Sequence, residues 1–342
     1  MKWTAVALFV LIWGLAVPGN AQQEHLLGPP AIPTVVSIGF LLLDLNSINE
    51  REETFEFEAI VTLRWNDPRH AFDPVQAGVE RKQFQGSFQF NETYTGWWPL
   101  IIVGNGAETT QVDVELLWIE SDGSMTYIEK LHIEAEEPMD LRAFPFDQQS
   151  LRLYLQVLGH DSGEVQLVLD PNTNGISTQA MNIAGWTIEG VHSEISEAEI
   201  HPGYRISQFA GLLNVSREPF HLIALVVVPL TLLVTLTWSV FWMDKESVSD
   251  RINISFIGVL AVVAYQFVVQ DAMPAISYFT LMDAFLISTL AIVGLGVAVN
   301  LIVDKLNQAN RRELGDRVDY TCRWAFPLGF VVVNGIFALL LV

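Results

Sequence analysis

Carboxylates and histidines make up most of the titratable residues in this chain. The 342 residues include 39 Asp and Glu against 18 Lys and Arg, and seven His that can titrate near neutrality. There is no H-E-x-x-H, G-x-S-x-G or phosphate-loop pattern, and the one cysteine, Cys322, opens an apolar run. The chain therefore lacks the sequence motifs of hydrolases, metalloproteases and thiol enzymes. We expect that it is not an enzyme and that it has no cofactor and no metal site.

Four apolar runs in the second half of the chain are each long enough to cross a bilayer as a helix. They predict membrane spans at about 220–243, 250–271, 277–303 and 320–342. Residues 1–21 carry Lys2, an apolar run and then small residues, which is typical of a signal peptide, with a retained anchor as the alternative. The sequence thus predicts an exported domain at 22–218 and a membrane domain at 219–342.

The basic residues between the spans predict the orientation. The joint between the third and fourth spans carries Lys305, Arg311, Arg312 and Arg317, whereas the joint between the second and third carries no Lys or Arg. The positive-inside rule places the former in the cytoplasm. We therefore expect an inner (plasma) membrane protein with its N-terminal domain in the periplasm or outside and its C-terminus outside.

Charge is segregated between the two predicted domains. Residues 22–218 hold 30 acids against 10 Lys and Arg, a formal net charge of 10 − 30 = −20, while residues 219–342 hold 9 against 7. Such an acidic domain repels nucleic acid and concentrates cations over the membrane. Solubility alone would also explain the acidity.

In the predicted exported domain, apolar and polar residues alternate with a period of two. In 54–65 and again in 151–157, apolar and polar residues alternate as half-buried strands require, and Asp122-Gly123 suits a hairpin turn. Short strands with polar turns indicate a β-sandwich. Pro145 lies between two phenylalanines and before Asp147, so this segment predicts a turn whose apolar tip rests on the membrane domain.

The second span carries a stripe at helical spacing. Its members, at intervals of four, three, four and three residues, are Asn253, Ile257, Leu260, Ala264 and Phe267. The spacing places them on one helical face. The residues alone favour a packing stripe in a helical bundle.

A further set of residues occurs in a fixed order along the chain: Trp65, Asp67, Arg69, Trp97, Pro99, Asn105, Arg217, Pro229 and Pro274. With the proline turn and the four predicted spans, this set resembles the pentameric ligand-gated ion channels, or Cys-loop receptors. Glu137 and Leu151 stand where animal receptors have bridged cysteines, which fits the bacterial members. Segments 238–242, 264–267 and 322–330 most resemble the amine-gated bacterial branch.

The resemblance implies a homopentamer in the lipid bilayer, each subunit a β-sandwich on a four-helix bundle. It also implies that the stripe lines an axial pore, with Leu260 and Phe267 as hydrophobic rings. Asp250 would form an acidic ring at the cytoplasmic mouth that favours monovalent cations, with the adjacent Arg251 pointing away from the axis. A membrane-anchored periplasmic sensor without ion conduction remains the alternative.

The resemblance further implies two sets of residues in the outer domain. For coupling to the pore it suggests Arg217, Asp147, Pro145 and either Glu50 or Glu52, although a plain structural salt bridge is equally open. The aromatic cage of the amine-gated branch is absent, so the agonist is an unknown small molecule or protons. The remaining ligand-site candidates are Tyr204, Phe209, His160 and Gln156.

Overall fold

The computed structural model describes residues 28–86, 89, 94–176, 183–243, 248–272 and 277–341. The predicted signal peptide, 1–21, lies outside the described residues. From Thr34 to Arg217 the described chain forms β-strands with short helical turns at Pro68–His70 and Pro74–Ala77, and from Phe220 onward it is helical.

The strands form two sheets that pack face to face. The larger sheet has the order β3-β5-β6-β2-β1-β8, with β9 paired to β1, and the smaller has the order β10-β11-β7-β4. The strands are β1 Thr34–Asn49, β2 Thr54–Asn66, β3 Arg81–Gln85, β4 Ile101–Val103, β5 Gly106–Glu120, β6 Ser124–Glu136, β7 Gln148–Val157, β8 Val165–Leu169, β9 Gly175–Ile176, β10 Trp186–His201 and β11 Tyr204–Arg217.

The alternation of apolar residues builds the sandwich core. In β2 the residues from Phe55 to Trp65 that share one face are all buried, and in β7 the inward side chains run from Leu151 to Val157. Between β5 and β6, Gly123 takes a φ of 86° at the predicted hairpin turn. The alternation of apolar residues and the glycine at the hairpin turn thus both favour a β-sandwich.

Four helices follow, and each is long and apolar enough to cross a membrane. We label them α1 Phe220–Trp242, α2 Val248–Ala272, α3 Leu281–Gln308 and α4 Arg312–Leu341. Within α1 the segment Ile223–Val227 winds as a π-helix just before Pro229, whose missing N–H interrupts the regular ladder.

Two helices differ from the spans that hydropathy predicts. α3 starts later, at Leu281, because Thr280 and Asp283 form a capping box that fixes its first turn. α4 begins at Arg312, earlier than predicted. The hydropathy pattern misses its first turns because they are polar. The joint between α3 and α4 is therefore shorter than predicted and spans residues 309–311.

The loop before β7 rests on the helices. Phe146 and Pro145 line an apolar cavity of about 200 Å³ together with α1 and α3 side chains such as Ile223 and Met282. Phe144 differs from the prediction of a wholly apolar tip, because it turns back into the sandwich and is buried. One aromatic thus anchors the loop to the strands, and the other faces the membrane domain.

Candidate functional site

The predicted stripe on α2 is largely exposed in the isolated subunit. Ile257, Leu260 and Phe267 are 63%, 67% and 66% exposed, and Asn253 and Ala264 are exposed as well. Large apolar side chains that stay open along one face of a helix require another partner, a lipid or a water-filled passage. The packing-stripe interpretation within one subunit is therefore wrong.

The opposite face of α2 packs inside the bundle. Ser255 and Val262 are buried there, and Gly258 lies so close to α1 that a Cβ atom would overlap Thr237. This close approach fixes the rotation of α2 about its own axis. The stripe consequently points away from the other helices.

Asp250 and Arg251 point in different directions at the start of α2. Asp250 is exposed, whereas Arg251 is only 2% exposed. The Arg251 guanidinium donates to both carboxylate oxygens of Asp319 on α4, at 2.8 and 3.1 Å, and to Asn300 Oδ1 on α3 at 3.1 Å. A buried cation is tolerated only when it is paired in this way.

A second charged cluster lies where the sandwich meets the helices. Arg217, at the end of β11, donates through Nε to Asp147 Oδ1 and through Nη1 to Glu50 Oε1, each at 2.8 Å. Its side chain is only 8% exposed. Glu52 lies apart from this cluster and accepts from Asn49 Nδ2 at 3.1 Å.

Aromatic rings clamp the same guanidinium. The Arg217 Cζ atom lies 4.1 Å from the centre of the Trp186 ring and 4.8 Å from that of Phe144. Gln149 Nε2 donates to Asp147 Oδ2 at 2.8 Å, so the carboxylate is also oriented. Arg217 is thereby tied to β10, to the loop before β7 and to the β1–β2 turn.

The sequence did not point to Tyr278, which joins the two domains just before α3. Its hydroxyl donates to the carbonyl of Met139 and accepts from the N–H of Leu141, both at 2.9 Å. The N–H of Leu281 also donates to the carbonyl of Arg142, at 2.9 Å. A lone tyrosine at the start of the predicted third span carries no sequence signal for such a role.

The four ligand-site candidates differ in their surroundings. Phe209 is fully buried in the core beside Phe40, with ring centres 5.5 Å apart, so its proposed contact with a ligand is wrong. Gln156 Nε2 donates to Gln208 Oε1 at 2.7 Å. Tyr204 opens β11 in the hairpin turn, next to Gly203 with a φ of 83°.

His160 is held between two partners. Its Nε2 accepts from the indole N–H of Trp97 at 3.2 Å, and its Nδ1 lies 3.1 Å from a Glu164 carboxylate oxygen. Both ring nitrogens of His160 thus already have partners within the subunit.

Two glutamates face each other across β5 and β6. Glu115 and Glu129 are directly paired in the ladder, and Glu129 shares the inward face with Tyr127 and Leu131. Burial, and then the adjacent charge of Glu115, raises the pKa of Glu129 to about 7. The one available signal was a carboxylate that interrupts the apolar face of β6.

Elsewhere in the sandwich an aspartate is held ionised. Asp67 is fully buried and receives Arg69 Nε and Nη2 at 2.8 and 2.7 Å. Burial acts to raise its pKa, but the hydrogen bonds from the Arg69 side chain and backbone outweigh burial and lower that pKa. This pair is structural, since Asp67 also caps the turn Pro68–His70.

Comparisons with known proteins agree with this architecture. Residues 24–216 match the neurotransmitter-gated ion-channel ligand binding domain, and residues 226–313 match the neurotransmitter-gated ion-channel transmembrane region. The chain is 27% identical to the proton-gated ion channel of Gloeobacter violaceus, over 99% of this chain and 92% of the relative.

Animal relatives are more distant. The mouse gamma-aminobutyric acid receptor subunit rho-1 is 23% identical over 89% of this chain, and the Xenopus laevis acetylcholine receptor subunit beta is 24% identical over 88%. The chain spans 64% and 65% of the lengths of these two subunits. The predicted likeness to the amine-gated bacterial branch stays a prediction.

The matched family consists of ligand-gated ion channels, which confirms that the chain is not an enzyme. Its two-part architecture, a ligand-binding β-sandwich followed by four apolar helices, is the fold that the sequence predicted. The chain belongs to the pentameric ligand-gated, Cys-loop-type ion channels and is of the bacterial type.

Proposed function

We propose that the chain forms a homopentameric, cation-selective channel in the inner membrane, with residues 22–218 in the periplasm and the C-terminus outside. The observation that carries this proposal is the division of α2 into two faces. The stripe from Asn253 to Phe267 is exposed, and Asp250 is exposed at its cytoplasmic end, while Arg251 is buried and paired.

Conduction explains this division better than a sensor without a pore. Symmetric copies of α2 that turn the stripe inward would surround a passage with apolar rings at Leu260 and Phe267. A sensor without a pore gives no physical reason for the polar Asn253 and the acidic Asp250 at one end of an otherwise apolar face. Copies of Asp250 would attract cations to the mouth.

For the stimulus we propose protons acting on the periplasmic domain. The Glu115–Glu129 pair supports this proposal, because a carboxyl with a pKa of about 7 changes its charge near neutral pH. The similar channel from Gloeobacter violaceus is described as proton-gated. A small molecule at the β10–β11 hairpin, where Tyr204 lies, is the second candidate.

The selectivity part of this proposal is tested by Asp250→Asn. The variant removes the acid at the mouth, so the cation-to-anion permeability ratio, measured from reversal potentials in a KCl gradient, should fall while assembly persists. Asp304→Asn, the same change on α3, is the matched control and should leave the ratio unchanged. Equal ratios and equal single-channel conductance in wild type and Asp250→Asn would exclude Asp250 from the ion path.

A further inference from the structure

The positive charge of Arg251 opposes the negative charge of Asp250 at the proposed ion entrance. The two residues are adjacent in the first turns of α2, and Ser249 and Asp250 are both exposed. Neighbouring helical residues point about 100° apart, so a long side chain at 251 can still reach the exposed side. Whatever holds Arg251 inside the bundle therefore affects the net charge at the entrance.

Residues on α3 and α4 keep the Arg251 side chain in place. Asp319 on α4 is 3% exposed and receives both terminal nitrogens of the guanidinium, at 2.8 and 3.1 Å. Arg251 Nε is buried without a hydrogen-bond partner among the described residues. Asp319 and the neutral Asn300 thus provide the hydrogen bonds that the structure shows to the guanidinium.

The acceptor on α3 is itself oriented. Asn300 Nδ2 donates to Ser255 Oγ at 2.8 Å, and Ser255 Oγ donates to the carbonyl of Arg251 at 2.9 Å. These bonds fix which way the Asn300 carboxamide faces, so its oxygen points at the guanidinium. Only Asp319, however, balances the charge of Arg251 in this network.

We infer that Asp319 is a positioning residue for ion selectivity. It keeps the charge of Arg251 inside the bundle, so that Asp250 determines the charge at the entrance. The inference rests on the proposed cation selectivity and adds a residue on α4, a helix that contributes no residue to the exposed stripe.

The physical consequence of losing Asp319 is that a cation remains buried without a counter-charge. An arginine in that position moves its flexible side chain toward water, and the exposed positions beside it are Ser249 and Asp250. There the guanidinium would neutralise Asp250. Each subunit would then contribute no net charge at the entrance instead of one negative charge.

The test uses the purified full-length channel in planar bilayers with a KCl gradient, in the Leu260→Ser background, which we expect to open without an agonist. Wild type at 319 should be cation-selective, and failure of this arm would count against the proposed function itself. Asp319→Asn should lower the cation-to-anion permeability ratio several-fold. Adding Arg251→Gln to Asp319→Asn should restore the ratio, a rescue that a merely structural role for Asp319 does not produce.

The control is Glu313→Gln, which makes the same change of charge at an exposed position of α4 and should leave the ratio unchanged. An unchanged ratio in Asp319→Asn, or a loss that Arg251→Gln does not reverse, would overturn the inference. If Asp319→Asn does not assemble, Asn300→Leu removes the neutral acceptor alone. It should lower the ratio less but in the same direction, and an unchanged ratio there would also overturn the inference.

Discussion

Arg217 connects more parts of the molecule than any other single side chain described above. Its guanidinium contacts Asp147, Glu50, Trp186 and Phe144, and its side chain is 8% exposed. A residue with so many buried partners cannot move without moving them. We therefore propose that this salt bridge also couples the sandwich to the helices.

We predict that Arg217→Ala yields assembled channels that open poorly. Removing one partner of a buried ion pair costs about 3–5 kcal/mol, because the remaining carboxylate of Asp147 is left without its counter-charge. The open probability at a saturating stimulus should fall strongly, with surface expression as the assembly control. Arg217→Lys keeps the charge but loses the planar fork, so it should be intermediate. Normal gating in Arg217→Ala would show that Arg217 takes no part in coupling the sandwich to the pore.

Glu129 predicts a pH dependence of stability. Its pKa in the folded protein is about 7, against 4.5 for an ordinary glutamate, so the folded state retains a proton that the unfolded state has released. Stability is therefore lost as the pH rises from about 4.5 through about 7, by at most roughly 3 kcal/mol for the Glu129 carboxyl.

Glu129→Gln should remove this loss. The thermal midpoint of the detergent-solubilised variant should exceed that of wild type by an amount that grows between these pH values. Glu136→Gln, at the exposed end of the same strand, is the control and should follow wild type. Parallel curves for wild type and Glu129→Gln would show that the Glu129 pKa is not raised.

At the scale of elements, the sequence patterns predicted what repeats, whereas long-range contacts either came from the family resemblance, as for Arg217 and Asp147, or were missed. Alternation identified β2 and β7, and the spacing of Asn253 to Phe267 identified one face of α2, because both patterns are local. The pairing of Arg251 with Asp319, 68 residues away, is not local. Nor is the contact between Tyr278 and the loop at 139–141, which depends on how the sandwich sits on the helices.

The exposed face of α2 leads to a prediction about gating. If rings of Leu260 close the pore by excluding water, Leu260→Ser admits polar groups and removes apolar contacts that only the closed state makes. Spontaneous current should rise and closure should slow. Ala261→Ser, one position along the helix and off the stripe, is the control. Expressed Leu260→Ser channels with unchanged resting current would mean that the rotation assigned to α2 is wrong.

At the scale of the whole molecule, the two domains differ in charge as well as in fold. The sandwich region 22–218 has a formal charge of 10 − 30 = −20, against 7 − 9 = −2 for residues 219–342. Copies of the acidic domain around an axis would raise the local concentration of cations above the membrane. The charge of the outer domain and Asp250 at the opposite end of the pore thus favour the same class of ion.

The reversal potential of purified Leu260→Ser channels in a planar bilayer with a KCl gradient tests the central claim most directly. This variant is the appropriate form because no agonist has to be supplied. Unitary currents that reverse near the potassium equilibrium potential are the predicted result. Reversal near the chloride equilibrium potential, or the absence of unitary currents from verified, inserted pentamers, would contradict the claim that this chain forms a cation-selective channel.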